Sequence, residues 1–363
     1  MESANNWVKV HFFRQKKVYY GEAVYVCGSI PALGDWNPYK ALKLNWSEGD
    51  NWEGEIYLQT PCDFEYKYIT SCSDQGWMHF VNWEAGPNAK MSLFPKDPNQ
   101  SGNGSNNDIN VMSFNIRFDT PIDGENSWEH RKDMVTNLIK VNGCDFVGIQ
   151  EALFHQTTYL QHMLPTYNWY GRGRKEGSEQ SEAVPIFYLC DKWEILEANT
   201  FWLSDLPEYA GSKTYGNKIP RICTWAKFRN KANGRYVLVY NCHLDHENHT
   251  AQVKAAEQIK KHIAKKCHDT PHIILMGDHN VTPDDQVFKI QTENEVKLKD
   301  TFIPKEKEHQ GTFHQWSGVS EKFRIDYIFV SEDFKTKEFK IVRDNFKNKY
   351  PSDHFPIIAK ISI

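Results

Sequence analysis

The sequence of 363 residues lacks three features, each of which would indicate a particular class of protein. No run approaches the roughly 20 apolar residues that a membrane-spanning helix needs, so we expect no membrane span. The net charge is −4 and the isoelectric point is near 6.4, whereas proteins devoted to bulk nucleic acid usually present a basic face. None of the eight cysteines forms a Cys-x-x-Cys pair, so their spacing indicates no zinc site.

The first residues also lack the pattern of a signal peptide. MESANNWVKV has no basic segment followed by an apolar stretch, so we expect no signal peptide. Several cysteines lie inside apolar runs and are interpreted as small buried hydrophobic residues. These observations predict a reducing, cytoplasmic setting.

What is present divides into two regions. Residues 94–108, FPKDPNQSGNGSNND, are rich in Pro, Gly, Asn and Ser and have no apolar periodicity, which predicts a flexible linker. We therefore expect one domain over residues 6–93 and a second over residues 109–363.

The first region consists of short segments in which apolar and polar residues alternate. VKVHFF, AVYVCG, WEGEIYL and FEYKYIT are each separated by Gly, Pro, Asn and Asp clusters, a pattern typical of strands. No stretch has convincing helical periodicity. The pattern predicts an all-β sandwich.

The second region mixes apolar strands with helices. The segment EHRKDMVTNLIKVN places Met134, Leu138 and Val141 at helical spacing, and TAQVKAAEQIKKHIAKK places Ala256 and Ile259 on one apolar face. Strands as apolar as INVMSF and YVLVYNC need cover on both faces. We therefore predict an α/β fold with helices outside two packed sheets.

Polar residues suited to metal or phosphate chemistry stand at the ends of these apolar strands. Strand ends on one edge of a packed sheet converge in space, and the strands hold them rigidly. The residues are Asn115, Glu151, His243, Asp278, Asn280, Asp326, Asp353 and His354.

This set of side chains fits the hydrolysis of a phosphoester. Carboxylates hold Mg²⁺, which neutralises the anionic substrate. Asn and His donate hydrogen bonds to phosphoryl oxygens, and a further carboxylate takes a proton from the attacking water. Taken singly, each residue has a simpler explanation: Asn115 as a turn residue, Glu151 as a helix N-terminal carboxylate and Asp326 as a member of an ion pair. Only the joint pattern favours a site.

The motifs FNIR, GIQE, NCHLDH, GDHN, RIDYIF and SDHFP resemble, in order, those of the endonuclease/exonuclease/phosphatase superfamily. The resemblance runs from about residue 109 to 363, and six motifs in family order make coincidence improbable. It implies a four-layer αββα sandwich of the deoxyribonuclease I type and a Mg²⁺-dependent phosphoesterase, with Mn²⁺ as an alternative metal.

The resemblance also implies roles for the metal-side and phosphate-side residues. Glu151 is the expected principal Mg²⁺ ligand, with Asn115 close to the metal and the phosphate. His243 and His354 are expected to flank the phosphate and to stabilise its charge.

For the attacking water, the resemblance assigns Asp278 to orient or deprotonate it and Asn280 to hold a phosphate oxygen. Asp353 is expected to fix the ring of His354. Asp326 is expected to orient a neighbouring histidine or to support a second metal.

Three local features leave questions open. The family usually has an apolar residue where His279 stands, so His279 either distorts the packing or reaches a polar partner. Arg117 replaces an extra Asp ligand of some members and would favour an anionic group. A zinc site of His243, His246 and His249 is the alternative for the HLDHENH segment.

The first region resembles carbohydrate-binding module family 20, a family of immunoglobulin-like starch-binding modules, over roughly residues 6–92. VYVCGSIPALGDWNP, FEYKYI and VNWEAGPN carry the resemblance. It implies that Trp36 and Trp83 stack on glucose rings, while Lys67 and Asn88 hydrogen-bond hydroxyls. The alternative is that both tryptophans pack in the core, as Trp52 is expected to.

A second glucan site is known in that family. The sequence offers only Trp77 and Tyr19 as guesses for it.

Together these features predict a phosphoesterase anchored to an α-glucan, either starch or glycogen. Its substrate is either a nucleic acid or a phosphorylated glucan or sugar phosphate. The rival prediction is a non-catalytic glucan-binding adaptor with an inactive phosphoesterase fold.

Overall fold

The computed structural model describes residues 7–59, 62–74, 77–93, 108–178, 181–293, 296–304, 309–320, 323–346 and 349–363. The chain divides into two compact units, Met1–Asn103 and Gly104–Ile363. Apart from Asp108, the predicted linker lies outside the described residues. All eight cysteines are free thiols. Within the described ranges, no helix is both long and apolar enough to cross a bilayer.

The first unit is all-β, as predicted, and its described strands form two sheets. The three-stranded sheet has the order β1-β5-β4, and the second has the order β3-β2-β6-β7, with β8 also paired to β6. The strands are β1 Trp7–Gln15, β2 Glu22–Gly28, β3 Leu42–Lys43, β4 Asn45–Ser47, β5 Asn51–Gln59, β6 Cys62–Asp74, β7 Trp77–Trp83 and β8 Ala89–Leu93.

Alternation along β5 shows how the sequence builds this core. Trp52 and Leu58 are buried while Glu53 and Glu55 face solvent, because successive side chains of a strand point to opposite faces. Phe12 of β1 joins them in one apolar cluster with β2 and β6. Trp52 is a core residue, as expected, and its Nε1 donates to the carbonyl oxygen of Lys16 at 2.9 Å.

The second unit contains two six-stranded sheets. Their orders are β11-β12-β10-β9-β20-β19 and β13-β14-β15-β16-β18-β17. The strands are β9 Asp108–Asn115, β10 Phe146–Gln150, β11 Tyr167–Tyr170, β12 Ile186–Leu189, β13 Trp193–Trp202, β14 Ile222–Asn230, β15 Tyr236–His243, β16 Ile273–Asp278, β17 Leu298–Asp300, β18 Asp326–Ser331, β19 Lys335–Ile341 and β20 Ile357–Ser362.

Helices cover the outer face of each sheet. The α-helices are α1 Trp128–Asn142, α2 Phe154–Met163, α3 His249–Lys266 and α4 Gln286–Glu293. Helices α1 and α2 pack on the first sheet, and α3 and α4 pack on the second. A third apolar cluster lies between the two sheets. The predicted four-layer αββα sandwich is therefore confirmed.

The predicted apolar face of α1 was partly wrong. Leu138 is buried, but Val141 is 67% exposed and Met134 is only half-buried. Val135 and Ile139 take their places against the sheet. The spacing fits two neighbouring faces of the helix, and the face that packs on the sheet is that of Val135, Leu138 and Ile139.

Strand register brings three predicted site residues side by side. Parallel pairing of β15 and β16 sets His243 opposite Asp278, and antiparallel pairing of β16 and β18 sets Asp278 opposite Asp326. Gly277 allows this close pairing, because a Cβ there would lie 2.1 Å from the carbonyl oxygen of Cys242, and its φ is 151°.

We predict that Gly277→Ala lowers the free energy of unfolding by about 3 kcal/mol, because a backbone carbonyl cannot move aside without breaking the ladder. Gly143→Ala is the control. Its φ of 51° also disfavours a side chain, but nothing lies within 4 Å of the added carbon, so the expected loss is about 1 kcal/mol. Urea unfolding of the full chain measures both, and equal losses would contradict the prediction.

Candidate functional site

The site forms where strand ends of both sheets meet. Asn115 ends β9 and Glu151 follows the neighbouring strand β10, while His243 and Asp278 end β15 and β16 of the other sheet. Asn115 joins the two sheets: its Nδ2 donates to Glu151 Oε1 at 3.0 Å and to Asp278 Oδ2 at 3.0 Å. The convergence expected from the sequence is present.

Two histidines face the carboxylate of Asp278. Its Oδ2 lies 3.5 Å from Nε2 of His243 and 3.8 Å from Nε2 of His354. Burial, followed by the nearby cations Arg221 and Arg174, lowers the pKa of His243 well below its usual value. His243 is therefore a neutral imidazole at pH 7.

His354 has the opposite charge state. Burial disfavours its charged form, but the charge and hydrogen bond of Asp326, together with the charges of Asp278 and Asp353, outweigh burial, and the pKa of His354 rises to about 10. Nδ1 of His354 lies 3.0 Å from Asp326 Oδ2. The site therefore pairs one neutral histidine with one cationic histidine.

The sequence assigned the orientation of the His354 ring to Asp353, and the geometry corrects this. The ring contact is made by Asp326, which was expected to orient a neighbouring histidine. Asp353 instead accepts a hydrogen bond from Ser352 Oγ at 3.2 Å, and its carboxylate lies 4.0 Å from Nε of Arg117. Asp353 lies in a bend before β20, where its carboxylate faces Ser352 and Arg117.

Asp278 is prepared to hold a proton. Burial and then the charge of Asp326 raise the pKa of Asp278 to about 7, against the opposing effects of His354 and of the hydrogen bond from Asn115. Its other oxygen, Oδ1, accepts from the backbone N–H of Asn280 at 3.0 Å. This contact holds Asn280 at a φ of 52°, next to the carboxylate.

The donor atoms fit a divalent cation. In the described part of the chain, Asp278, Asp326 and His354 form one group whose potential ligand atoms lie within 4.8 Å of one another, and with His354 cationic the two carboxylates are the ligands that this group offers. Asp326 Oδ1 is buried and has no hydrogen-bond partner among the described residues. With Glu151 and Asn115, this edge offers the oxygen ligands that Mg²⁺ and Mn²⁺ prefer.

The open questions about His279 and Arg117 have structural answers. His279 is buried without distorting its strand: its ring packs edge-on against Tyr327 and Phe329 at 5.4 Å and reaches Cys242 Sγ at 3.7 Å. Burial lowers the pKa of His279 to about 4. Arg117 is held by Asp123 through two hydrogen bonds of 3.0 and 3.1 Å.

The histidines of the HLDHENH segment do not converge. Nδ1 of His246 lies 2.8 Å from Nη2 of Arg221, and Nε2 of His249 lies 3.0 Å from Asp285. The segment therefore does not form the alternative zinc site.

The sequence analysis missed a buried cation on α1. The guanidinium of Arg131 donates to the carbonyl oxygens of Ile116, Arg117, Asn126 and Pro351. It thereby fixes the loop after Asn115 to the loop before Asp353. Its neighbours in the sequence, EHRKD, are charged, so the pattern did not indicate that Arg131 would be buried.

Two further arginines were also missed. Arg174, Glu182 and Arg221 line a narrow pocket together with Glu151 and His243. Arg221 immediately precedes β14, so its place at a strand end was a usable signal; Arg174 lies in a loop without periodicity.

In the first unit, the predicted glucan-binding residues lie together. The rings of Trp36 and Trp83 are 6.1 Å apart at 45°, and Trp83 is 44% exposed. Lys67 Nζ donates to the carbonyl oxygen of Gly86, and Asn88 Nδ2 donates to Glu65 Oε2 at 3.0 Å. Trp36 is half-buried and has a φ of 62°, in the turn that presents it.

The two guesses for a second glucan site have different outcomes. Tyr19 is 85% exposed. The side chain of Trp77 lies outside the described residues. Two other aromatic residues, Tyr20 and Trp46, are also exposed.

We predict that Asp326→Asn lowers the pKa of His354 by more than Asp353→Asn does, because only Asp326 both faces and hydrogen-bonds the ring. NMR titration of the metal-free protein measures both changes. A larger change in Asp353→Asn would restore the assignment made from the sequence.

Comparison with known proteins identifies the second unit. The endonuclease/exonuclease/phosphatase family model matches residues 112–354. A solved endonuclease/exonuclease/phosphatase from Bacteroides vulgatus is 34% identical, with a TM-score of 0.67, over 70% of this chain and 99% of that one. The mannosyl-6-phosphatase of Bacteroides thetaiotaomicron VPI-5482 is 30% identical, with a TM-score of 0.66, over 70% of this chain and 100% of that one.

The first unit matches a starch-binding domain model over residues 7–101. Over 90 residues it is 33% identical to Glucoamylase-1 of Schizophyllum commune, a match that covers 25% of this chain and 15% of the glucoamylase. The chain therefore belongs to the endonuclease/exonuclease/phosphatase family and carries a starch-binding module ahead of its phosphoesterase domain.

Proposed function

We propose that the protein is a Mg²⁺- or Mn²⁺-dependent phosphatase that releases phosphate from a phosphorylated α-glucan or a related sugar phosphate. The observation that carries the proposal is the set of side chains around Asp278. A buried carboxylate with a pKa near 7 faces one neutral and one cationic histidine, beside the oxygen ligands of Asn115 and Glu151.

Each side chain has a role in direct attack by water. Glu151 and Asn115 would hold the metal ion, which supplies charge neutralisation for the phosphoryl group. Asp278 accepts a proton from the attacking water, and its pKa of about 7 suits a general base at neutral pH. His354, kept cationic by Asp326, stabilises the charge that develops on a phosphoryl oxygen.

The remaining groups complete the site. Neutral His243 carries one ring N–H, which can donate to a second phosphoryl oxygen. Asn280 stands beside Asp278 and offers its side-chain amide as a further donor once the contact of Nδ2 with the carbonyl oxygen of Leu244, at 3.2 Å, is exchanged for substrate. Asp353 and Arg131 hold the surrounding loops.

Three observations favour a sugar phosphate over nucleic acid. The relative from Bacteroides thetaiotaomicron, similar over its whole length, is a mannosyl-6-phosphatase. The match to a starch-binding domain supports an affinity for the polymer that would carry such phosphates. The net charge of −4 provides no general attraction for a polyanion. The inactive-adaptor hypothesis is disfavoured, because the groups that hydrolysis needs are present and converge.

We predict metal-dependent release of phosphate from phosphorylated amylopectin and from mannose 6-phosphate, and little release of nucleotide from single-stranded RNA or DNA. Asp278→Asn and Glu151→Gln should each lower kcat by about 10² or more, because each removes a group needed for general-base or metal catalysis. Glu338→Gln, an exposed carboxylate on β19, is the control.

The outcomes separate the hypotheses. Turnover of nucleic acid alone, lost in Asp278→Asn, would replace the phosphatase with a nuclease. If no phosphoester is hydrolysed with either metal, the adaptor hypothesis stands.

We also predict that Trp83→Ala weakens binding to maltoheptaose about tenfold or more, because one of the two stacking faces is lost. Tyr57→Ala on β5 removes another exposed aromatic residue from the same module and should leave affinity unchanged. Isothermal titration calorimetry measures both. An equal loss in the two variants would place the glucan site elsewhere.

A further inference from the structure

A narrow pocket beside the catalytic residues contains two buried guanidinium groups. It is lined by Arg174, Glu182 and Arg221 as well as by Glu151 and His243. Neither arginine belongs to the motifs that define the catalytic set, and the roles given above to Asp278, His354 and Asn280 do not need them. Their positions and partners therefore call for a separate explanation.

Arg221 is held in a fixed position. Its backbone oxygen accepts from the N–H of Leu203 at 2.8 Å, and its side chain is buried, with the residue only 5% exposed. Nη2 contacts Nδ1 of His246 at 2.8 Å, and Nε lies 3.7 Å from the carboxylate of Asp245. These contacts prevent the guanidinium from turning out to solvent.

Arg174 is fixed from the opposite wall of the pocket. Its side chain pairs with Glu182, and its N–H donates to the carbonyl oxygen of Glu182 at 2.9 Å. Its carbonyl oxygen accepts from Trp202 Nε1 at 2.6 Å. The backbone N–H of Ala183 donates a hydrogen bond of 2.8 Å to the carbonyl oxygen of Ala152, which places this loop next to Glu151.

Both arginines have unused hydrogen-bonding capacity. Nε of Arg174 and Nε of Arg221 are buried, and neither has a hydrogen-bond partner among the described residues, although the carboxylate of Asp245 lies 3.7 Å from Nε of Arg221. Leaving a buried donor of a charged group unpaired is costly, so such donors are usually matched by a ligand or by water. The pocket therefore offers buried guanidinium donors to an anion, beside the carboxylates of Glu151 and Glu182 that also line it.

We propose that Arg174 and Arg221 bind the terminal oxygens of a phosphomonoester dianion, so that this pocket selects monoesters over diesters. A monoester has one more negative charge than a diester, and it has an unsubstituted oxygen where a diester bears a second organic group. Guanidinium groups suit such oxygens because their donors match phosphate geometry. The inference rests on the proposed phosphatase function and names the specificity determinants of the same site.

The test compares two substrates that share one leaving group. For the full chain with Mg²⁺ or Mn²⁺, kcat/KM is measured on 4-nitrophenyl phosphate and on bis(4-nitrophenyl) phosphate. Arg221→Met and Arg174→Met should each lower kcat/KM for the monoester by about 100-fold and for the diester by less than about threefold, because only the monoester has the additional charge and the unsubstituted oxygen that the guanidinium groups would bind. Arg229→Met, at the opposite end of β14, is the control and should change neither.

Further measurements distinguish loss of phosphate binding from loss of folding. Arg221→Lys keeps the charge but not the forked donors, so it should recover part of the monoester activity that Arg221→Met loses. Affinity for inorganic phosphate, measured by calorimetry, should fall about tenfold or more in Arg221→Met and stay unchanged in Arg229→Met. Unfolding midpoints of the variants exclude a general loss of structure.

The outcomes separate failure of the proposed phosphatase function from failure of the proposed selectivity for monoesters. If the wild type hydrolyses neither ester, phosphate affinity alone decides whether the pocket binds a phosphate dianion, and the proposed function is decided separately by phosphate release from phosphorylated amylopectin and mannose 6-phosphate. If the wild type is active but the arginine variants lose monoester and diester turnover equally, the phosphatase stands and the selectivity inference is overturned. Unchanged phosphate affinity in Arg221→Met overturns it as well.

Discussion

The arrangement of the catalytic domain depends on one buried carboxylate, that of Asp278. Its strand is apolar up to Gly277 and is enclosed by sheets and helices, so its polar end has to find partners at the sheet edge. Asn115 donates to it from the other sheet, and His243 and His354 face it. Burying a charge is costly without such partners. The contacts that stabilise the buried carboxylate also fix the position of the reacting groups.

Much of this could be predicted from the sequence, because the information is local. Strand ends follow from apolar runs that stop at polar residues, and parallel or antiparallel pairing then places Asn115, His243 and Asp278 at one edge. The order of the motifs, through their resemblance to the family, also predicted the four-layer fold. The partner of His354 was harder: it depends on whether Asp326 or Asp353 points toward the ring, which is set by strand register and by the direction of a side chain. The predicted buried face of α1 was partly wrong for a related reason. The spacing of its apolar residues fits two neighbouring faces of the helix, and only packing against the sheet determines which face is buried.

The arginines mark the limit of sequence reasoning. The guanidinium of Arg131, on helix α1, hydrogen-bonds two loops that are far apart in the sequence. Arg174 and Arg221 line one pocket, and they come from separate segments of the chain. No spacing rule links such residues, because their relation exists only after the sheets have packed. Burying a guanidinium lowers the pKa of Arg131 to about 10 and lowers that of Arg174 as well, which reflects the cost of removing these charges from water. Arg131 is compensated by four carbonyl oxygens, whereas Arg174 and Arg221 each keep an unpaired donor.

An unpaired buried donor is not by itself a sign of function, since Nε of Arg324 is unpaired as well. What sets Arg174 and Arg221 apart is that their unpaired donors lie next to Glu151 and His243, where a ligand or a water can satisfy them. The same reasoning applies to the starch-binding module, where Trp52 buries its ring and donates its N–H to a carbonyl oxygen, while Trp83 leaves 44% of its surface exposed beside Trp36. In both units, the candidate binding residues keep unpaired or exposed groups beside one another.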